Sequence, residues 1–306
     1  MSNHMHHTPK GRGLELAAWV TGAYFFFELA VGLYTGSVMV LVDAAHTFSA
    51  VGGVVLALVA RRIALREATP EQTFGGQRAE IIGALLNGMA LLVMAVVAIT
   101  MGVMRLGSPI DLPTTPMFVV AAVGILTEVW LISLMYRDQK HDVNTRGAYW
   151  HVVQTFLGSV GIIVAALVIH FTGFLLIDPI LGIGFGLMVL VAGWSVLRDS
   201  ASILMQNTPQ EIDMTDICRQ LRAIDGVRDV HHPHAWTLTS GRLIFSAHLR
   251  IDDALNSEEQ MRLLAMSEEL LSEEFGIYFS TLQLETEDRE EDSAREIDIG
   301  GSHQTR

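Results

Sequence analysis

The chain has 306 residues, of which 50% are hydrophobic and only 17% are charged. In soluble proteins about a quarter of the residues are usually charged. The mean hydropathy of this chain is positive at +0.38, so the composition indicates a membrane protein. The net charge of -13 excludes a basic nucleic-acid-binding surface. The single cysteine, Cys218, excludes an intrachain disulfide and a thiolate metal cluster.

The N-terminal segment is polar. Residues 1–13 lack the short apolar region and the small-residue cleavage site of a secretory signal peptide. We therefore expect a disordered N-terminal segment over residues 1–13.

Six apolar segments follow, and each has the roughly 20 residues that a helix needs to cross a bilayer core. Gly, Pro and Ser mark the turns between them. The pattern predicts an α-helical membrane domain over residues 14–200, with six transmembrane helices at 14–34, 37–60, 79–104, 115–136, 147–171 and 176–197.

Basic residues are distributed unevenly between the loops. Lys and Arg precede the first span, follow the sixth, and occupy the loops after the second and fourth spans. The loops on the opposite side contain only Arg105. By the positive-inside rule, both termini are expected in the cytoplasm.

Two histidines lie midway along predicted spans, His46 in the second and His151 in the fifth. Because an imidazole in hydrocarbon is costly, its presence there indicates a function. Asp43 shares a helix face with His46, and Thr155 shares one with His151, while Glu128 is an acid in the fourth span. If these faces meet, imidazoles and oxygens can surround one transition-metal ion such as zinc. The structural alternative is a histidine that only hydrogen-bonds a neighbouring helix.

The composition changes after the sixth span. Residues 209–286 are rich in Asp and Glu, and their turn signals and periodicity predict the order helix, strand, strand, helix, strand. Two helices over a three-stranded sheet make an open-faced ferredoxin-like α+β domain. Residues 287–306 alternate charged and small polar residues, and we expect a disordered acidic tail.

Several stretches resemble a known family. In the apolar part these are GSVMVLVDAAHTFSAVGGVVLALVA, RAEIIGALLNGMALLV and TRGAYWHVVQTFLGSVGIIVAALVIHFTGFLLIDPI, and in the acidic part GVRDVHHPHAWTLTSGRLIFSAHL and FGIYFSTLQLE. Over about residues 14–286 the chain resembles the cation diffusion facilitator family, in its bacterial cobalt-zinc-cadmium efflux branch. The resemblance implies six transmembrane helices and a cytoplasmic ferredoxin-like domain. It also implies a transporter rather than an enzyme, with no cofactor beyond transported or regulatory zinc or a similar divalent metal.

The resemblance further implies partners and a location. The expected partners are a divalent metal ion, protons as counter-ion, membrane lipid and a second copy of the chain in a homodimer, without nucleic acid. The expected location is a bacterial cytoplasmic (inner) membrane, with multiple passes and outward transport of the metal.

The sequence departs from the family at the transport site. The zinc-type site has a His and an Asp four residues apart on the second span, and the same pair on the fifth. Here His46 is followed by Ala50, and His151 is followed by Thr155. Both carboxylates are missing, and with them the negative charge that offsets a divalent ion in a low dielectric.

Three interpretations follow from this departure. In the first, transport continues with a rebuilt site in which Glu128 or Asp43 supplies the charge. In the second, a site with two imidazoles and few carboxylates prefers copper, nickel or cobalt. In the third, the chain is a non-transporting membrane metal sensor or dimer partner.

A second candidate metal site lies in the acidic domain. By resemblance, His234, His248 and Glu285 match residues that bind metal in the family's cytoplasmic domain, and His231 is a further candidate. His234 is expected to approach His248 across the hairpin of the two strands. A solvated histidine face is the alternative.

Overall fold

The structure is a computed structural model that describes residues 11–64, 66, 68–136 and 143–286. Over these residues the elements are, in order, α1 (Gly11–Thr35), α2 (Val38–Ala64), α3 (Ala79–Gly107), α4 (Thr114–Met135), α5 (Val143–Thr172), α6 (Ile177–Leu204), α7 (Met214–Arg222), β1 (Val227–Thr239), β2 (Arg242–Ile251), α8 (Ser257–Phe275) and β3 (Ile277–Glu285). They form two compact units, with boundaries after residues 62, 81 and 198. The predicted disordered segments, 1–13 and 287–306, lie outside the described residues, except that residues 11–13 begin α1.

The first unit consists of helices α1 to α6, which correspond to the six predicted spans. Among the described residues, four helical stretches are long and apolar enough to cross a membrane, namely Ala79–Gly107, Thr114–Leu134, His151–Thr172 and Ile177–Leu204. Large apolar side chains such as Leu126 and Val191 are more than 70% exposed, as expected for helices that face lipid. The predicted fold class, a helical transmembrane domain followed by an α+β domain, is confirmed.

The start of α2 is fixed by a carboxylate from another helix. Asp178, at the start of α6, accepts hydrogen bonds from Ser37 Oγ (2.5 Å) and from the backbone N–H groups of Val38 (2.8 Å) and Met39 (3.3 Å). The first N–H groups of a helix have no partner within the helix, and here the fully buried Asp178 supplies one. This contact sets the position of α2, which carries His46.

The second unit contains the predicted sheet and its two helices. The strand order is β1-β2-β3, with β1 antiparallel to β2 and β2 parallel to β3. Leu221 of α7, Leu271 of α8, and Phe245 and Leu249 of β2 are fully buried together in its core. The helices therefore cover one face of the sheet, as an open-faced ferredoxin-like layer requires.

The loop between α2 and α3 belongs to the second unit as well. Glu80 accepts hydrogen bonds from the hydroxyls of Thr239 (2.6 Å) and Ser240 (2.9 Å), and Arg242 donates one to Gln77 Oε1 (2.9 Å). These contacts bind the loop to the turn between β1 and β2. The transmembrane sequence therefore contributes part of the second unit.

Candidate metal sites

The structure brings His46 and His151 together inside the first unit. Their ring centroids are 4.4 Å apart with an interplanar angle of 32°. Phe185 of α6 packs edge-on against His46, with 5.7 Å between the ring centroids. The predicted convergence of α2 and α5 thus places two imidazoles side by side.

Several nitrogens of this imidazole pair have no hydrogen-bond partner. His46 is only 2% exposed, and neither of its ring nitrogens is hydrogen-bonded, nor is Nε2 of His151. A buried polar atom without a partner costs free energy, so each one in a native structure needs a ligand or water to explain it. Neutral imidazole nitrogens bind Zn²⁺ at about 2.0–2.1 Å, and the ring separation lets both side chains reach one ion.

The hydroxyl of Thr155 is engaged within its own helix. Its Oγ1 donates a hydrogen bond to the carbonyl oxygen of His151 at 3.1 Å, which is a common arrangement for Thr in a helix. The hydroxyl oxygen keeps lone pairs, but the structure shows no contact between it and the ring of His46.

Asp43 and Glu128 have other surroundings than the ligand positions expected for them. Asp43 is fully buried against α5, where a Cβ atom on Gly158 would lie only 2.0 Å from its Oδ1. Glu28 of α1 is its neighbour, because the Thr47 hydroxyl lies 3.0 Å from Glu28 Oε2 and 3.1 Å from the backbone carbonyl oxygen of Asp43. Among the described residues, neither Asp43 nor Glu128 joins both imidazoles in a group of three convergent metal ligands.

Glu128 forms part of the same interior. It is 3% exposed, and its Oε1 accepts a hydrogen bond from Ser159 Oγ at 3.0 Å. Its Oε2 has no partner. Among the described residues, the interior of the first unit therefore holds an imidazole pair and four buried carboxyl groups, namely Asp178 at the start of α6 and the acids Glu28, Asp43 and Glu128.

The second unit contains a three-ligand cluster. His231 Nε2 lies 3.0 Å from Glu285 Oε2, and His248 Nδ1 lies 3.1 Å from Glu285 Oε1. One ligand atom from each of these residues lies within 4.8 Å of the other two. Within the described part of the chain, this is the group of three His, Cys, Asp or Glu residues whose ligand atoms come so close together. Two imidazoles and a carboxylate are a typical zinc donor set.

Two residues outside the predicted set surround this cluster. The ring of His232 lies 5.6 Å from that of His231 and 5.3 Å from that of His248, measured between centroids. Gln283 donates a hydrogen bond to Glu285 Oε1. Gln283 pairs with His248 in the parallel β2–β3 register. The periodicity of the sequence does not specify this register, so the sequence did not identify Gln283 as a neighbour of the cluster.

A β-bulge determines which histidine enters the cluster. His231 pairs with His248, but the next pair is His234 with Ser246, so β1 has one extra residue. His232 adopts a positive φ of 49°, which is uncommon outside glycine. The structure thus differs from the expectation that His234 approaches His248: His231 takes that place, and His234 is exposed.

Comparison with known proteins assigns both parts of the chain to one family. Residues 14–205 match the cation efflux transmembrane domain, and residues 209–287 match the cytoplasmic domain of cation efflux proteins. The chain belongs to the cation efflux family. This confirms the resemblance to the cation diffusion facilitators and supports metal efflux rather than a non-transporting sensor or partner. The family is one of transporters.

Individual relatives cover almost the full chain. The cadmium, cobalt and zinc/H(+)-K(+) antiporter of Bacillus subtilis is 36% identical over 277 residues, which is 90% of this chain and 88% of that protein. The metal cation efflux system protein CzcD of Cupriavidus metallidurans is 34% identical over 286 residues, 93% and 90% of the two chains. The zinc transporter ZitB of Escherichia coli is 31% identical over 288 residues, with the same shares.

A solved structure is also similar in sequence to part of the chain. The metal-bound C-terminal domain of the CzcD transporter from Cupriavidus metallidurans is 34% identical, and the match covers 24% of this chain and 99% of that chain with a TM-score of 0.23.

Proposed function

We propose that this member of the cation efflux family exports a divalent transition-metal ion, zinc first, in exchange for protons. The relatives named above are transporters of zinc, cadmium and cobalt, and an antiporter among them uses protons. Cadmium and cobalt are the next candidates. Two borderline ligands such as imidazoles accept all three ions.

The observation that carries the proposal is the buried imidazole pair. His46 and His151 come from two helices, their rings lie 4.4 Å apart, and their free nitrogens have no protein partner. In a membrane interior such groups usually mark an ion pathway or proton relay. Because metal and proton compete for the same lone pair of a neutral imidazole, exchange between them follows from the chemistry of the site.

The site is a rebuilt version of the family's arrangement. His46 and His151 are the proposed direct ligands, water fills further coordination positions, and Thr155 lies one turn along the same face. The charge of the ion is offset at longer range by the buried acids, of which Asp43 and Glu128 are members. Interactions between charges are strong across a low-dielectric interior, so direct coordination by these acids is not required.

The orientation follows from the basic loops, which place both termini in the cytoplasm of a bacterial cell. The loop from α2 to α3 carries Arg residues and binds the turn between β1 and β2. Both lie on the same side of the membrane in this orientation. We infer a homodimer in the inner membrane, because the second unit matches the cytoplasmic domain of the family.

The cluster of His231, His248 and Glu285 is proposed to bind a regulatory metal ion. All three side chains belong to the sheet of the second unit, and Glu285 is only 8% exposed. A carboxylate that orients two imidazoles and can itself act as a ligand is suited to a zinc site.

Zinc flux in reconstituted vesicles tests the transport proposal. Wild-type protein is expected to take up zinc and to release protons in the opposite direction under an imposed pH gradient. The double variant His46→Ala, His151→Ala is expected to transport at the rate of empty vesicles, because no other ligand pair replaces the two imidazoles.

The matched control is His170→Ala. His170 lies on the same helix as His151 but at its far end, where it is exposed, so its loss is expected to leave zinc flux unchanged. Equal flux in the wild type and the double variant would exclude the imidazole pair as the transport site.

A further inference from the structure

Besides Asp178, three carboxyl groups are buried among the described residues of the first unit, and none of the three forms an ion pair with a Lys or Arg of this part of the chain. Glu28 and Asp43 are 0% exposed, and Glu128 is 3% exposed. No Lys or Arg occurs within any of the six spans. An ionised carboxylate in such an environment is very unfavourable unless a cation or a proton neutralises it. The unit therefore has to hold at least one neutralising positive charge among these acids.

The hydrogen-bond donors around the acids are distributed unequally. Glu28 Oε2 accepts from Thr47 Oγ1 at 3.0 Å, and Glu28 Oε1 lies 3.5 Å from the Tyr24 hydroxyl. Glu128 Oε1 accepts from Ser159. Asp43 receives no donor at either oxygen although it is fully buried. Asp43 is thus the acid that needs a further partner.

Thr47 links Asp43 to Glu28: its hydroxyl lies 3.0 Å from Glu28 Oε2 and 3.1 Å from the backbone carbonyl oxygen of Asp43, so the carboxyl groups of the two acids are neighbours. Carboxylate oxygens accept hydrogen bonds and do not donate them, so this contact becomes a hydrogen bond only when one of the two groups carries a proton. Two carboxylates that share a site cannot both ionise easily. Among the described residues these acids do not place three ligand atoms within 4.8 Å of one another, so a proton fits the pair better than a metal ion.

The pair lies close to the imidazoles but not among them. Asp43 precedes His46 by three residues, a rise of about 4.5 Å along α2, and Gly158, which Asp43 contacts, follows His151 by seven residues, about 10.5 Å along α5. Charges at such separations interact strongly where neither salt nor a basic residue screens them. The titratable groups facing the pair are Tyr24 of α1 and Glu128 of α4.

We propose that the Glu28–Asp43 pair is a proton site separate from the metal ligands, and that its shared proton leaves when a divalent ion binds His46 and His151. The O–H bond breaks, the proton passes to water, and the pair keeps the electrons and one more negative charge. The two negative charges of the ionised pair then balance the ion that the neutral imidazoles cannot balance. This inference rests on the proposed function and gives its counter-ion a location.

Proton release on zinc binding tests the inference. The parent is the full chain with His231→Ala and His248→Ala, so that only zinc binding outside the second unit is measured. At about pH 8, where an imidazole with an ordinary pKa of about 6.5 is already neutral, zinc is added in weak buffer with a pH indicator. The parent is expected to release about one proton per zinc ion bound.

Glu28→Gln and Asp43→Asn, each in the parent, are expected to reduce this release to near zero. Each amide donates a permanent hydrogen bond to the remaining acid and has no proton to exchange. Asp111→Asn is the matched control, because Asp111 is an exposed acid of the same unit; it should release as many protons as the parent. Unchanged release in both pair variants would overturn the inference.

Infrared difference spectra of the parent decide the case in which a pair variant fails to fold or to bind zinc. The parent is expected to lose a protonated-carboxyl C=O band when zinc binds. The same loss in Glu128→Gln supports the pair, rather than Glu128, as the proton site. A spectrum without such a loss overturns it. If the parent itself binds no zinc, the proposed transport site is wrong. If the parent binds zinc without release of a carboxyl proton, only the inference about the pair is wrong.

Discussion

At His232, β1 has one residue more than the strand it pairs with, and this residue decides which histidine contacts Glu285. Without the bulge, the register that pairs His234 with Ser246 would continue along the strand and place His232 opposite His248. With it, His231 lies opposite His248 and within 3.0 Å of Glu285. A single backbone irregularity therefore exchanges one metal-ligand candidate for another.

Substitution of the two candidate histidines distinguishes these assignments. In the background His46→Ala, His151→Ala, we expect His231→Ala to weaken zinc binding by roughly tenfold or more, because even outer partners of a metal ligand contribute that much. His234→Ala is the control and should leave the affinity unchanged, since His234 is exposed. Isothermal titration of zinc into the full chain measures both; a loss with His234→Ala alone would contradict the assignment.

The sequence predicted some of these residue positions and not others. Helical spacing placed His46 and His151 on polar faces of two apolar spans, and their meeting followed because such faces turn inwards in a helical bundle. The same spacing put Asp43 on the face of His46, yet its carboxyl group packs against Gly158 of α5. Periodicity defines a face of a helix but not which neighbouring helix each side chain on that face contacts.

Among the helices, the contact between α2 and α5 depends on a residue without a side chain. A Cβ atom at Gly158 would lie 2.0 Å from Oδ1 and 2.5 Å from Cγ of Asp43. Real Cβ atoms do not approach other atoms so closely, and Asp43 is fully buried. The glycine therefore allows α5 to approach the carboxyl group of α2.

Gly158→Ala is expected to destabilise the protein and to reduce zinc transport. Overpacking of a buried contact costs about 1–3 kcal/mol, which exceeds the gain of up to about 1 kcal/mol that alanine has over glycine in a helix. Gly184→Ala is the matched control, because a Cβ there meets no atom within 4 Å. Thermal unfolding in detergent measures the difference; equal midpoints for the two variants would show that Asp43 moves away without cost.

The elements themselves were largely predictable. Six apolar stretches of bilayer length gave the six helices, because the bilayer requires a long uninterrupted apolar run. Turn residues gave the order of helices and strands in the second unit. The contact of Glu80 with Thr239 and Ser240 was not predictable, because it joins polar groups about 160 positions apart that carry no sequence pattern.

For the whole molecule, the central feature is the separation of metal-binding and charge-balancing groups. The family's site combines imidazoles with carboxylates four residues away, whereas here Ala50 and Thr155 occupy those positions. Two imidazoles remain as the proposed metal ligands, and the acids lie on α1, α2 and α4, where Thr47 of α2 and Ser159 of α5 donate hydrogen bonds to two of them. The proposed function therefore requires the imidazoles and the acids to act together when a divalent ion crosses the protein.

X-ray absorption at the zinc edge tests this central claim most directly. The sample is the full chain with His231→Ala and His248→Ala, loaded with one zinc ion per chain and washed. We predict a first shell of nitrogen and oxygen at about 2.0–2.2 Å, with the scattering pattern of two imidazoles, which disappears in the further variant His46→Ala, His151→Ala. A spectrum without imidazole scattering, or one that the further variant leaves unchanged, would contradict it.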